Sequence, residues 1–156
     1  ESSDRYSRWF LSRSSKLMSA RSKGRKRALD ILYESDIKSV NPLWLVKERT
    51  TTDDEIARFA AELVEGYGAN AQSIDSLIDK HAKNWDLDRL ASVDRNILRI
   101  AAFEILHGKS REIPVSVAID EAIELAKNLS TDDSPQYIHG ILSAIARETD
   151  GLEVSQ

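Results

Sequence analysis

Residues 92–106 read SVDRNILRIAAFEIL and form the most apolar helical stretch of the chain. Its apolar side chains cover more than one face of the predicted helix, at Val93, Ile97, Leu98, Ile100, Ala101, Phe103, Ile105 and Leu106. A helix that is apolar nearly all round is covered by other elements on several sides. We therefore expect this segment to lie in the middle of the fold, with Ser92 as its N-cap.

Amphipathic helices are predicted on both sides of this central segment, because apolar residues recur there at helical spacing. The predicted stripes are Ala28, Ile31, Leu32 and Ile37; Leu45 and Val46 after Asn41-Pro42; Ile56, Phe59, Ala60, Leu63, Val64 and Tyr67; Ile74, Leu77 and Ile78, ending near Trp85; Val115, Ala118, Ile119, Ala122, Ala126 and Leu129; and Tyr137, Ile138, Ile141, Leu142 and Ile145. No stretch alternates as strands do. The sequence predicts an all-α fold, a compact bundle of about seven helices in two packed sub-bundles.

Turn and capping residues predict several helix boundaries. Proline is tolerated in a first turn, so Asn41-Pro42 is expected to open a helix. The other predicted caps are Thr52 or Asp53 for the third helix and Asp132 or Asp133 for the last. A kink or break is expected at Gly66 and Gly68.

Three segments are expected along the chain. Residues 1–20 are rich in Ser and Arg and lack periodicity, so they are predicted to be a disordered basic extension. Residues 21–150 form the helical domain, and residues 151–156 a disordered tail. Met18 is the single methionine, and we hypothesise that the natural protein starts there.

Charge is distributed unevenly between the start of the chain and the rest. Residues 1–27 carry nine Lys or Arg and two acids, whereas the remainder carries 13 bases and 24 acids. A basic arm on an acidic body suggests a polyanion bound at one end and a different, basic partner elsewhere. A solvated tail without a partner is the alternative that charge alone leaves open.

Candidate catalytic and metal-binding groups are few. His81, His107 and His139 fall on different predicted helices, so no metal site is predicted. The acidic residues that could form carboxylate pairs for acid-base catalysis are Asp132, Asp133, Glu121 and Glu124. Positions 132 and 133 are typical of caps, and Glu104 and Glu121 are expected to pair structurally with Arg95 or Arg99. The sequence therefore predicts neither an enzyme nor a cofactor.

The composition also indicates a location. The chain has no cysteine, which removes disulfides and any reason to invoke an oxidising compartment. Its apolar runs are far shorter than the ~20 residues of a membrane-spanning helix. Trp9, Phe10 and Leu11 are too few for the ~7 to 15 residue core of a signal peptide. We expect a cytoplasmic protein without a membrane segment.

Several motifs resemble the NusB family of transcription antitermination factors over about residues 18–146. They are RKRALDILY at 25–33, WDLDRL at 85–90, VDRNILRIA at 93–101 with Glu104, Ile113-Pro114, AIDEAIELAK at 118–127, Asp133-Ser134, and GIL at 140–142. One departure is His139, because the family usually has Asn before the glycine that corresponds to Gly140. Asn bonds its own turn more readily than His does, so a family role of that Asn does not transfer to this chain.

The resemblance implies a protein without catalytic activity that binds the boxA element of ribosomal RNA leaders jointly with ribosomal protein NusE, within the RNA polymerase antitermination complex. The family's RNA-contacting positions fall on Arg21, Lys23, Arg25, Lys26, Arg27, Asp133 and Tyr137. Its NusE-facing positions fall on Tyr33, Asp88 and Asp94. A homodimer is also possible for the free protein.

These residue types suit single-stranded RNA. Cations bind the phosphates, and an aromatic face stacks unpaired bases at about 1 to 3 kcal/mol each. We expect the Tyr137 ring to lie close to the cationic arm and to supply that face, with Asp133 accepting from base amino groups. Two other hypotheses stay open: the RNA-binding domain of a ribosomal RNA cytosine methyltransferase, and a scaffold that binds only protein.

Overall fold

The computed structural model describes residues 19–82 and 91–154, and in residues 151–154 the backbone alone. Over these ranges seven α-helices and one 3-10 helix follow one another without any strand. They are α1 (Ala20–Lys38), α2 (Pro42–Arg49), α3 (Glu55–Ala69), α4 (Ala71–His81), α5 (Ser92–His107), the 3-10 helix (Lys109–Arg111), α6 (Val115–Leu129) and α7 (Ser134–Val154). The predicted all-α class is confirmed. Trp85, Asp88 and the extension up to Met18 lie outside the described residues.

Two boundaries differ from the expected segments. α1 already includes Ala20, the last residue assigned to the basic extension. α7 continues to Val154, four residues past the expected end of the domain at 150. None of the described helices is both long and apolar enough to span a membrane.

The helices pack in two groups that share α5. In the first group α1, α2 and α3 contact one another, and in the second α5, α6 and α7 do so, with α4 against α5 and α7. α5 also packs on α1 and α3 and thereby joins the groups. The predicted sub-bundles and the central position of residues 92–106 are both confirmed.

α1 and α5 run antiparallel, as two polar contacts show. Near the end of α1, Asp36 accepts hydrogen bonds from Ser92 and Asn96 at the start of α5, each at 2.9 Å. Near the start of α1, Arg25 bonds Glu104 in the last turns of α5. The basic end of α1 therefore lies beside the C-terminal end of α5.

The helix start predicted at Asn41-Pro42 is confirmed, whereas the caps predicted for α3 and α5 are wrong. α2 begins at Pro42, and the Asn41 side chain caps it by accepting from the Leu43 N–H at 2.8 Å. The cap of α3 is Asp54, which accepts from the Ala57 N–H at 2.8 Å, so Thr52 and Asp53 were wrong. Ser92 was also wrong, because it lies inside α5 and donates its hydroxyl to Asp36 instead.

The predicted break at the two glycines is wrong in position. Gly66 and Gly68 both lie within α3, and the chain breaks at Asn70, whose side-chain amide donates to the Gly66 carbonyl at 2.8 Å. Packing explains Gly66, since a Cβ there would lie 2.1 Å from the Phe103 ring. The glycine thus lets α3 approach α5 closely.

Candidate nucleic-acid interface

Basic side chains occupy the first turns of α1. Arg21 and Lys23 are exposed, and Arg27 is half-buried. The first turn contains no acid, although cations at a helix N-terminus oppose the helix dipole. Ser19 caps the helix by accepting from the Ser22 N–H at 3.0 Å. Helix stability therefore does not explain the positive charge here.

Arg25 is the exception in this row, because it is only 2% exposed. Its Nε and Nη2 donate to the two carboxylate oxygens of Glu104, each at 2.8 Å, and Nη1 lies 3.8 Å from Glu121 Oε1. Burial opposes the charge, but the hydrogen bonds and charge of Glu104 outweigh it and raise the pKa of Arg25. Pairing of Glu104 with Arg95 or Arg99 was therefore wrong. The Arg25 guanidinium fixes α1 on α5, and we leave it out of the RNA-contacting set.

Lys26 also turns inward and is 5% exposed. Its Nζ donates to both carboxylate oxygens of Asp30 on the next turn, at 2.6 and 2.8 Å. Of the five cations that the resemblance assigns to RNA, Arg21, Lys23 and Arg27 offer their charge to solvent.

A groove adjoins these cations where α1 approaches α3. A Cβ on Gly24 would lie 2.8 Å from Phe59, so only glycine permits this approach without a shift. Three guanidinium carbons surround the Phe59 ring, those of Arg21 at 5.8 Å, Arg25 at 5.3 Å and Arg111 at 5.1 Å from its centroid. The groove has a volume of about 320 Å³ and is lined by Arg21, Glu55, Arg58, Phe59, Glu62 and Arg111. We call it the arginine groove.

Arg58 and Arg111 were missed by sequence reasoning. They come from α3 and the 3-10 helix, and neither helical periodicity nor spacing relates these segments to α1. The uneven distribution of charge along the chain predicts a basic region, but it indicates only residues 1–27, where bases outnumber acids.

Tyr137 lies in the core, 8% exposed. Its hydroxyl donates to Asp94, which also accepts from Ser130 at 2.5 Å and from Ser134 at 3.2 Å. Burial, then the hydrogen bond to Asp94, raises the pKa of the Tyr137 phenol. This network joins the starts of α5 and α7, so the ring is not placed as a stacking platform. Asp94 itself is 2% exposed and does not present its carboxylate to a partner.

The Tyr137 ring is also remote from the arm. Asp94 lies in the first turn of α5, whereas Glu104, the partner of Arg25, lies ten residues further on. At 1.5 Å per residue the two contacts are about 15 Å apart along the helix axis. The expectation that this ring lies beside the cationic cluster does not fit the fold.

The remaining predicted contact residues are exposed where the structure describes them. Asp133 is exposed in the turn before α7. Tyr33 is 41% exposed and shares a face of α1 with Ile37, which is 63% exposed. His139 is exposed within α7, where an ordinary helical backbone makes no demand for Asn. Asp88 stays a prediction.

The potential metal ligands of residues 19–82 and 91–150 lie apart from one another, with no group of three among them that could hold a metal ion. One of the three histidines, His81, lies with its Nε2 2.6 Å from Glu148 Oε2, a contact that joins α4 to α7. Two of the carboxylates considered for catalysis form hydrogen bonds within the fold: Glu121 accepts from Ser22 at 2.7 Å, and Glu124 accepts from Asn128 at 3.3 Å.

Comparison with known proteins finds relatives that share most of this sequence. The transcription antitermination protein NusB of Saccharopolyspora erythraea is 45% identical over 137 residues, covering 86% of this chain and 92% of that protein. The protein of that name from Bifidobacterium longum is 48% identical over 129 residues, covering 81% and 67%.

Solved structures agree with the sequence relatives. T. maritima NusB superposes with a TM-score of 0.75 at 34% identity, covering 85% of this chain and 94% of that one. A crystal structure of antitermination factors NusB and NusE in complex with dsRNA gives 0.71 at 29% identity, covering 85% and 99%. The sequence model of the NusB family matches residues 22–147. The chain therefore belongs to the NusB family.

Proposed function

We propose that this chain is an RNA-binding transcription antitermination factor, and not an enzyme. It binds the boxA element of ribosomal RNA leaders together with ribosomal protein NusE and joins the RNA polymerase antitermination complex, in the cytoplasm. The observation that carries the proposal is the exposure of Arg21 and Lys23 at the start of α1, in a chain that belongs to the NusB family.

The contact with RNA is electrostatic at the start of α1. Arg21, Lys23 and Arg27 bind phosphate oxygens, while Arg25 and its Glu104 partner hold the first turns of α1 against α5. Phosphate contacts position a strand and do not read its sequence. Base recognition therefore falls to other groups, and we assign the exposed carboxylate of Asp133 to it. Tyr137 acts indirectly, by fixing the start of α7 that carries Asp133.

NusE binds on the exposed face of α1 around Tyr33, at some distance along α1 from the phosphate contacts. The body of the chain beyond residue 27 carries 24 acids against 13 bases, which complements a basic partner. The exposed ring of Tyr33 supplies the apolar contact, as aromatic residues often do at the centre of an interface. The family resemblance adds Asp88 to the residues that we propose contact NusE.

Truncation of this ring tests the surface. Tyr33→Ala is expected to weaken NusE binding about tenfold, because aromatic anchors commonly contribute more than about 1 kcal/mol. Isothermal titration calorimetry with NusE measures this, and Val117→Ala, which shortens an equally exposed side chain on α6, is the control. Equal affinity of Tyr33→Ala and wild type would remove Tyr33 from the interface.

A gel-shift experiment separates this function from its rivals. Labelled boxA-like single-stranded RNA is incubated with the chain, with NusE, and with both. We expect tighter binding with both proteins than with either alone, and weaker binding of a scrambled strand. A duplex of the same sequence is the necessary comparison, because the related solved complex contains dsRNA.

The alternatives predict other outcomes in the same experiment. A scaffold that binds only protein would shift no RNA at any protein concentration. The methyltransferase-domain hypothesis is not favoured, because the relatives that match most of this chain are named as antitermination proteins. A homodimer that covers the RNA surface would show as RNA affinity that falls when protein concentration rises.

A further inference from the structure

We propose that the arginine groove binds a phosphate group of the RNA strand next to the boxA element, so that the RNA path continues from α1 onto α3 and the 3-10 helix. The inference rests on the proposed function and adds Arg58 and Arg111 to the RNA-binding residues. The ligand is a phosphodiester of the same strand that contacts the start of α1.

The groove gathers positive charge around one ring. The guanidinium carbon of Arg111 lies 5.1 Å from the Phe59 centroid and 5.4 Å from that of Phe103, and that of Arg21 lies 5.8 Å from Phe59. A ring face attracts a cation, so these contacts hold the guanidinium groups of Arg21 and Arg111 near one another although their charges repel. Such an arrangement is ready to bind an acceptor that is shared between guanidinium groups.

The hydrogen bonds in the groove leave donor capacity unused. The contacts of Arg21 among the described residues are the Phe59 ring and a long bond of 3.5 Å to the Arg111 carbonyl, with no carboxylate within 4 Å. Arg111 Nη2 donates to Glu62 at 2.6 Å, whereas its buried Nη1 has no acceptor in the part of the chain that the structure describes. A buried donor without an acceptor is costly. A phosphate would supply one after a small rotation of the guanidinium.

Arg58 provides an accessible cation at the rim. It is exposed, and its Nη1 donates to the Asp53 carbonyl at 2.6 Å and lies 3.4 Å from Asp53 Oδ1. The Asp53 side chain is 93% exposed, so solvent weakens that ion pair. Arg58 can therefore exchange Asp53 for a phosphate oxygen at little cost.

An RNA phosphate fits this site better than a separate small anion does. Arg21 belongs both to the exposed row on α1 and to the wall of the groove, so a strand lying along α1 reaches the groove directly. Glu55 and Glu62 also line the groove and repel anions. A free anion held by few cations would bind weakly against that repulsion, whereas a phosphate already tethered to neighbouring contacts has a high local concentration.

The experiment measures the salt dependence of RNA affinity by fluorescence anisotropy, using boxA-like RNA extended by several nucleotides at each end. Arg58→Ala is expected to weaken binding of all sequences alike and to reduce the slope of log K against log salt by about 0.7, the contribution of one phosphate contact to a single strand. Arg111→Gln is a second variant that keeps a planar side chain over Phe59. Lys47→Ala removes an exposed cation of α2 outside the groove and is the matched control, expected to leave the slope unchanged.

One further variant is expected to strengthen RNA binding, whereas the two arginine variants weaken it. Glu62→Gln removes an acid that competes for Arg111, so it is expected to tighten RNA binding and steepen the slope. Wild-type slopes for Arg58→Ala, Arg111→Gln and Glu62→Gln alike would overturn the inference while leaving the proposed function intact. Absence of wild-type binding would instead overturn the proposed function.

A titration with inorganic phosphate, followed by NMR at the Arg58 and Arg111 side chains, distinguishes the two sources of phosphate. Weak binding, in the range of tens of millimolar, agrees with a tethered RNA phosphate. Saturation at micromolar phosphate would assign the groove to a free anion and overturn the inference.

Discussion

Replacement of Arg25 by Met is expected to lower the free energy of unfolding by about 3 to 5 kcal/mol, because it leaves a buried carboxylate without its partner. That carboxylate belongs to Glu104, which is 1% exposed and accepts both hydrogen bonds from Arg25. Urea denaturation followed by circular dichroism measures the loss. Arg21→Met, at an exposed position of the same helix, is the control and should change stability little.

A double variant sharpens this prediction. Arg25→Met combined with Glu104→Leu removes both charges, and replacing a buried ion pair by apolar residues is often nearly neutral. The double variant should recover most of the lost stability and should still bind RNA. Retained stability in Arg25→Met together with lost RNA affinity would contradict the structural role and return Arg25 to the RNA-contacting set.

Replacement of Tyr137 by Ala is expected to cost about 3 to 5 kcal/mol of stability, as truncations of large buried aromatic side chains do. The ring is 8% exposed, and its hydroxyl donates to the buried carboxylate of Asp94. Tyr137→Phe keeps the ring and removes that hydrogen bond to a charged group, so about 1.5 to 3 kcal/mol should be lost. Thermal and urea unfolding of both variants give the two values.

RNA binding by the same variants separates packing from stacking. Under conditions where Tyr137→Phe is fully folded, its RNA affinity should equal that of wild type, because the ring stays in the core. A stable Tyr137→Ala protein that loses more RNA affinity than Asp133→Ala does would show that the ring itself stacks on a base, because an effect through Asp133 cannot exceed the loss of Asp133.

The fold was largely predictable from the sequence because its strongest signals are local. The apolar run at residues 92–106 correctly predicted the central helix α5, and Asn41-Pro42 correctly predicted the start of α2. The errors lie where tertiary contacts decide. Ser92 bonds Asp36, which is 56 residues away in the chain, and Gly66 accommodates a ring from another helix. A capping or turn propensity contains no information about either partner.

The candidate site was less predictable, because a cation can bind a ligand only where its side chain points to solvent. Arg21, Arg25 and Lys26 look alike in a basic arm, yet the first is exposed and the other two are buried. The buried acid Glu104 selects Arg25 from 79 residues away. Glu104 lies among apolar residues in the helical pattern, so an ion pair with a basic residue was expected. The sequence of that one helix suggested only Arg95 and Arg99 as its partners.

The same limit explains the arginine groove. Arg58 and Arg111 line a groove with Arg21 where α3 and the 3-10 helix approach α1, and Gly24 leaves room there for Phe59. The composition correctly predicted positive charge at one end of the chain. It did not indicate that α3 and the 3-10 helix add two arginines to that end.

The most direct test of the account is the salt dependence of RNA affinity for wild type and for a variant that carries both Arg21→Ala and Lys23→Ala. Each phosphate contact to a single strand contributes about 0.7 to the slope of log K against log salt, so the double variant should lose about 1.4. Its urea unfolding curve should match that of wild type, because both side chains are exposed. Equal slopes for the two proteins would contradict the claim that the exposed cations of α1 bind the RNA backbone.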